Sequence, residues 1–246
     1  MGATGIAGSR SALPIAITLA AAVIGIDLLC QSAGARAAEK ATPIPPPVID
    51  EMRAGGGKLE TAVVAGGCFW GVQAVFQHVQ GVENAVSGYA GGTTADPTYH
   101  EVSSGRTGHA ESVEITYDPS KVTYGELLRI FFSVAHDPTQ LNRQGPDTGT
   151  QYRSAVFFTG EEQRKVATAY VDQLNKAGVY PEPIVTELAD LDVFHAAEDY
   201  HQDYAFYNPT QPYIMWNDLP KVENLRMMFP DVWREEPKLV GVGGNS

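Results

Sequence analysis

The chain has 246 residues, with 17 Lys and Arg against 29 Asp and Glu, a formal net charge of −12. So acidic a protein lacks the basic footprint that nucleic-acid binding needs, so no nucleic acid is expected as a partner. Its two cysteines, Cys30 and Cys68, are too few for a disulfide scaffold, and no cluster of Cys and His has metal-ligand spacing.

At the N-terminus, residues 13–26, "LPIAITLAAAVIGI", form an uncharged apolar run that follows Arg10 and is ended by Asp27. With "ARA" at 35–37 as a small-residue cleavage site, residues 1–37 have the layout of a secretory signal peptide, which predicts an exported, periplasmic protein. The alternative is a retained membrane anchor over residues 13–29, although the run of 14 falls short of the roughly 20 residues that a spanning helix needs. Residues 38–57, rich in Pro, Ala and Gly and without period, read as a flexible linker. Residues 58–235 are the right length for one catalytic domain with a substantial core, followed by a flexible tail over 236–246. With residues 1–37 removed, Cys68 is the single thiol taken into an oxidising compartment, so no disulfide can form within the mature chain.

The apolar, β-branched stretch "LETAVVA" (59–65) predicts a strand, and Val72, Val75, Phe76 and Val79 predict a helix over 69–79. Between them lies "GGCFWG", so Cys68 sits at a glycine turn facing the first free N–H groups of a helix. That setting favours a thiolate and predicts a thiol that titrates below its ordinary value of about 8.5. Further strands are expected at 83–92, 111–119, 153–159 and 183–188, and helices at 123–135 and 160–178. Thr123 with Glu126 fits a capping box, and Gly178 fits a helix stop. This order predicts an α+β fold, a ferredoxin-like two-layer α/β sandwich, with irregular chain at 136–152 and a long irregular C-terminal segment after 194.

Taken alone, Cys68 is either a small buried hydrophobe or a nucleophile, and the glycine turn favours the second. Strand alternation places Glu111 on the same face as Val113 and Ile115, where a carboxyl group needs a reason to be. His109, His136, His195 and His201 lie in motif-like segments and leave a Cys–His hydrolase or acyltransferase open. A non-catalytic domain with a buried cysteine is the third reading. No "CxxC" is present, which argues against a thioredoxin-like oxidoreductase.

The stretches "GGCFWGVQAVF" (66–76), "GYAGG" (88–92), "PTYHEVSSGRTGHAESVEITYDP" (97–119), "HDPTQ" (136–140), "DTGTQYRSAVF" (147–157) and "AEDYHQDY" (197–204) carry a common signature. Together they resemble the type A peptide methionine sulfoxide reductases, over roughly residues 60 to 228. The resemblance implies thiol-dependent reduction of methionine S-sulfoxide, free or in proteins, through a cysteine sulfenic acid. It makes Cys68 the nucleophile and Glu111 the proton donor, and a carboxyl can donate near neutral pH only if burial raises its pKa. It makes Tyr99 and Tyr152 the residues that hold the sulfoxide oxygen, and Asp147 part of the polar network or of substrate backbone binding. Phe69 and Trp70 would pocket the methyl group beside the sulfur, and the histidines would be structural. No metal or bound cofactor is implied, and the reductant would be an external thiol, either small or on a thioredoxin- or glutaredoxin-like partner. Many members carry a further cysteine near the C-terminus, often just after "QPY". Here Ile214 follows "QPY" and the tail "KLVGVGGNS" holds no cysteine, so internal recycling is absent.

Overall fold

The computed structural model describes residues 40–53 and 57–240, with residues 1, 2 and 5. The segment expected to be a signal peptide or anchor therefore lies, but for those three residues, outside the described residues. Among the described residues no helix is long and apolar enough to cross a membrane.

The chain runs β1 (Glu60–Gly66), α1 (Phe69–Gln77), β2 (Val82–Ala90), α2 (Tyr99–Ser103), β3 (Ala110–Tyr117), α3 (Tyr124–Ile130), β4 (Arg143–Gln144), β5 (Asp147–Thr148), β6 (Ser154–Phe158), α4 (Glu161–Ala177), β7 (Glu187–Asp190), β8 (Phe194–Ala196), α5 (Tyr204–Tyr207) and α6 (Leu219–Met228). Six strands form one sheet in the order β7-β6-β1-β3-β2-β8. Its centre, β6-β1-β3-β2, is antiparallel throughout and has the split βαβ pattern of a ferredoxin-like fold. Strand β8 extends one edge antiparallel to β2, and β7 extends the other parallel to β6.

Alternation along the strands decides which residues meet the helices. Val64, Val113, Ile115, Val156 and Phe158 join Val72, Val75 and Phe76 of α1, Leu127 and Leu128 of α3, and Tyr170 and Leu174 of α4 in the main core. The opposite face carries a smaller cluster of Val63, Ala65, Ala90, Ala110, Ala155 and Phe157. Small residues suffice there because only Ala189, Leu191 and Phe194 pack on it.

The expected elements recur with instructive differences. Thr123 and Glu126 form the capping box of α3, and Gly178 ends α4 in the left-handed conformation. The helix expected over 123–135 is α only to Ile130, and residues 131–135 widen into a π-helical turn. The freed carbonyls find other donors, Tyr180 Oη for Phe132 at 2.6 Å and the His136 ring for Phe131 at 3.1 Å. The strand expected at 183–188 begins only at Glu187, because the N–H groups of Ile184 and Val185 are taken by Asn175 Oδ1 and Pro138 O. The C-terminal segment is more regular than expected, since β8, α5 and α6 lie in it. Helix α6 buries only Lys221 and Leu225, so it has no apolar stripe to read.

Residues 40–53, expected to be a flexible linker, lie as a strap along α3 and α4. Ile44 is buried in the main core, and the carbonyls of Thr42, Ile44, Pro45 and Pro46 accept from Ser133, Arg129, Tyr170 and Gln173. Asp50 accepts the Gly125 N–H at 2.9 Å and the Thr123 hydroxyl at 2.5 Å, capping α3 a second time. Proline suits such a strap: it cannot join a ladder, but its carbonyl still accepts. At the other end, residues of the expected flexible tail are also bound, Lys238 N to Gln77 O at 2.9 Å and Val240 N to Asp203 Oδ1 at 3.1 Å.

Candidate active site

Strand β1 ends at Gly66 and α1 begins at Phe69, so two residues must turn the chain. Gly67 makes the turn at φ +90°, where a Cβ would fall 2.5 Å from Gln144 Cβ. Cys68 then occupies the N-cap of α1, with no side-chain capping hydrogen bond, and the Trp70 N–H of the first turn lies on its side of the helix end. The thiol does not have the low pKa expected of this position. Burial pushes it well above its ordinary value, Asp218 and Glu111 push it further up, and the Trp70 N–H opposes them too weakly. At 8 % exposure, loss of solvent outweighs the helix terminus.

Glu111 stands in the centre of the sheet, opposite Tyr89 on β2, and is only 2 % exposed. Its Oε2 accepts the N–H of Phe69, the residue after the cysteine, at 3.1 Å. Burial pushes its pKa up to about 8; the Phe69 N–H pulls down, and Asp147 and Asp218 add to the rise. Glu111 is therefore a carboxylic acid at neutral pH, as the sequence required of a donor.

The seven residues singled out in the sequence, Cys68, Phe69, Trp70, Tyr99, Glu111, Asp147 and Tyr152, all line one cavity of about 170 Å³. Five separate elements deliver them. Tyr99 opens α2, whose first N–H is held by Glu198 Oε1 at 2.9 Å, while Glu198 Oε2 accepts from Tyr89 Oη at 2.9 Å. Tyr152 ends a 3-10 turn over Thr150–Tyr152, and Asp147 comes from β5. Burial raises the pKa of Asp147 and of both tyrosines, so the hydroxyls remain donors.

An eighth lining residue, Tyr213, was not singled out from the sequence. Its hydroxyl donates a hydrogen bond to the Asp147 carboxylate. The signal available was the place of Tyr213 in "QPY", directly before Ile214.

The aromatic wall is fixed from behind. Trp70 stacks on Tyr204 with centroids 4.0 Å apart and donates its indole N–H to His201 Nδ1 at 3.2 Å. Because Nδ1 accepts, the His201 ring is neutral with its proton on Nε2, in keeping with a pKa lowered by burial. His136 is likewise neutral, its pKa pushed down to about 3 by burial, and it links Phe131 O to Ser154 Oγ. None of the six histidines lines the cavity, which leaves a Cys–His hydrolase without its base.

Comparison with known proteins gives a consistent picture. The family model for peptide methionine sulfoxide reductase matches residues 60–232. A Mesorhizobium japonicum protein, peptide methionine sulfoxide reductase MsrA 2, is 62% identical over 192 residues, 78% of this chain and 97% of its own length. A Synechocystis protein of the same description is 53% identical over 76% of this chain and 89% of its own. Among solved structures, methionine sulfoxide reductase A of Corynebacterium diphtheriae is similar with a TM-score of 0.55 and 39% identity, covering 71% of this chain and 89% of that one.

Proposed function

The chain belongs to the peptide methionine sulfoxide reductase family, enzymes that reduce methionine sulfoxide with thiols, and from that premise we propose how its cavity does so. The observation that carries the reading is a protonated, buried Glu111 hydrogen-bonded to the residue that follows a buried Cys68, in one small cavity.

At neutral pH the site rests with both Cys68 and Glu111 protonated, a neutral pair in a buried pocket. The methyl group of the substrate lies between Phe69 and Trp70, a wall that suits a polarisable sulfur and its methyl. The sulfoxide oxygen lies toward Glu111, Tyr99 and Tyr152. Glu111 gives its proton to that oxygen as the Cys68 sulfur attacks the substrate sulfur, and the carboxylate so formed takes the thiol proton. The bond from substrate sulfur to oxygen then breaks as Glu111 protonates the departing oxygen to water. Water attacks the Cys68 sulfur, the bond between the two sulfurs breaks with its electron pair left on the substrate sulfur, and the proton released returns to Glu111. Thiol and sulfoxide become sulfenic acid and sulfide, with no net change in protons. Asp147, held by Tyr213, is placed to take a backbone amide of the substrate.

Cys68 is the only cysteine after residue 30, so the sulfenic acid is reduced from outside. A thiol attacks its sulfur, water leaves, and a second thiol resolves the mixed disulfide. A small thiol or a thioredoxin- or glutaredoxin-like protein fits this role. The N-terminal layout supports export to a periplasm, and N-terminal sequencing of the natural protein tests it: a start near Ala38 is expected, and a start at Met1 in a membrane fraction supports the anchor instead.

The activity is tested with the resolved epimers of a methyl sulfoxide amino acid and dithiothreitol. The S epimer gives the sulfide and the R epimer does not. No sulfide from folded protein ends the reading.

A further inference from the structure

Close to the nucleophile lies a buried charge pair that the reaction above does not use. Asp218 is fully buried and Lys221 only 4 % exposed, and the Lys221 Nζ stands 3.8 Å from the Asp218 carboxylate. The carboxylate is pressed onto Gly71, in the first turn of the helix that Cys68 caps. A Cβ at position 71 would lie 2.2 Å from Asp218 Oδ1, so only glycine leaves the carboxylate room there.

We propose that Asp218 is a positioning residue that occupies the positive end of α1 and thereby keeps Cys68 a thiol between turnovers. A helix N-terminus favours one nearby negative charge, and a fixed carboxylate there leaves less of that field for a thiolate and adds repulsion. The other titratable groups facing Cys68 are Glu111 from β3, Asp147 from β5, and Tyr99, Tyr152 and Tyr213 around the cavity. Of these and Asp218, Asp218 raises the thiol pKa most after burial itself, with Glu111 next. Lys221 balances Asp218 on the side of α6.

The consequence is chemical selectivity. A thiolate attacks hydrogen peroxide, displacing hydroxide to give a sulfenic acid, and the sulfenate attacks a second peroxide to give sulfinate and water. A thiol does this far more slowly. A methionine sulfoxide in the cavity supplies its own route, because its oxygen accepts the proton of Glu111 and frees that carboxylate to take the thiol's. Asp218 would thus hold Cys68 inert toward peroxide and leave it available to substrate.

The inference rests on Cys68 as the nucleophile, but it is read without substrate and so can fail separately. The pH dependence of iodoacetamide alkylation at Cys68 is measured in the full chain for wild type, Asp218→Asn and the double variant Asp218→Asn/Lys221→Met. The double variant leaves no unpaired buried ammonium and keeps net charge unchanged. The expected result is a midpoint lower by about one unit or more in the variants, hence roughly tenfold faster alkylation at pH 7. Formation of the sulfinic acid by hydrogen peroxide, followed by intact mass, is expected to quicken by a similar factor. If the single variant does not fold, the double variant decides. A folded variant whose alkylation profile superimposes on that of wild type overturns the proposal.

Discussion

The backbone N–H of Phe69 donates to the Glu111 carboxyl at 3.1 Å, which ties the proposed proton donor directly to the residue after Cys68. Glu111 and Cys68 therefore cannot drift apart unless β3 and the start of α1 separate. Since β1 carries the turn into α1 and pairs with β3 from Glu60 to Val64, the sheet itself sets their distance.

Replacing Cys68 with Ser is expected to abolish sulfide formation while leaving the fold intact. Ser is nearly isosteric, and a buried hydroxyl is a far poorer nucleophile. The check is turnover with dithiothreitol alongside circular dichroism, and a Ser variant that keeps most of its activity refutes the mechanism.

Glu111→Gln preserves shape and hydrogen bonding but holds no transferable proton. The reductive step is expected to slow by about 10²- to 10⁴-fold, the usual worth of a general acid. In wild type that step weakens as pH rises through about 8, and the Gln variant loses this limb of the pH–rate profile. The same group has a signature in stability. Its folded pKa lies above its unfolded value, so the folded state binds the proton more tightly and its contribution, full below about 4.5, is lost as pH rises to about 8. Denaturant titrations across that window are expected to show a downward slope in wild type that the Gln variant lacks.

In a chain that starts near Ala38, one equivalent of substrate without reductant is expected to leave a sulfenic acid at Cys68, because residues 38–246 hold no second thiol to collapse it. Intact mass after a single turnover, with and without a dimedone-type trap, reads this directly. Loss of two hydrogens with no adduct points instead to an internal link such as a sulfenamide.

The strap gives a prediction with no bearing on chemistry. Asp50→Ala removes the acceptor for the Gly125 N–H and the Thr123 hydroxyl, and is expected to lower stability by about 1–2 kcal/mol. Urea denaturation measures it, and turnover is expected to be unchanged at temperatures where the variant is folded.

What was legible in the sequence follows from what each residue needs. Glu111 stood out because strand alternation put a carboxyl among Val113 and Ile115, and the three do share the helix-covered face with α1. Thr123 and Glu126 were legible because a capping box is local. The thiol's pKa was not, since position at a helix terminus is readable but depth of burial is not. Nor was Asp218: "NDLPK" carries no motif, and its meeting with Gly71 spans nearly 150 residues of chain. The strap was misread because its proline and alanine content suits a linker equally well, and only the acceptors it offers to α3 and α4 bind it.

The cavity draws its wall from chain positions as far apart as Cys68 and Tyr213, and His201 and Tyr204 brace that wall from behind. A chain made from the N-terminus onward thus meets its nucleophile early and the enclosure of that nucleophile nearly last. Long-range contacts of this kind form slowly and only after the intervening chain is available. Until residues 199–218 dock, the thiol has the turn at Gly67 and the Phe69–Trp70 start of α1, but neither the His201 and Tyr204 braces behind that wall, nor Tyr213, nor the buried Asp218. A chain emerging from its N-terminus therefore carries its cysteine for a time without the enclosure that the finished fold gives it.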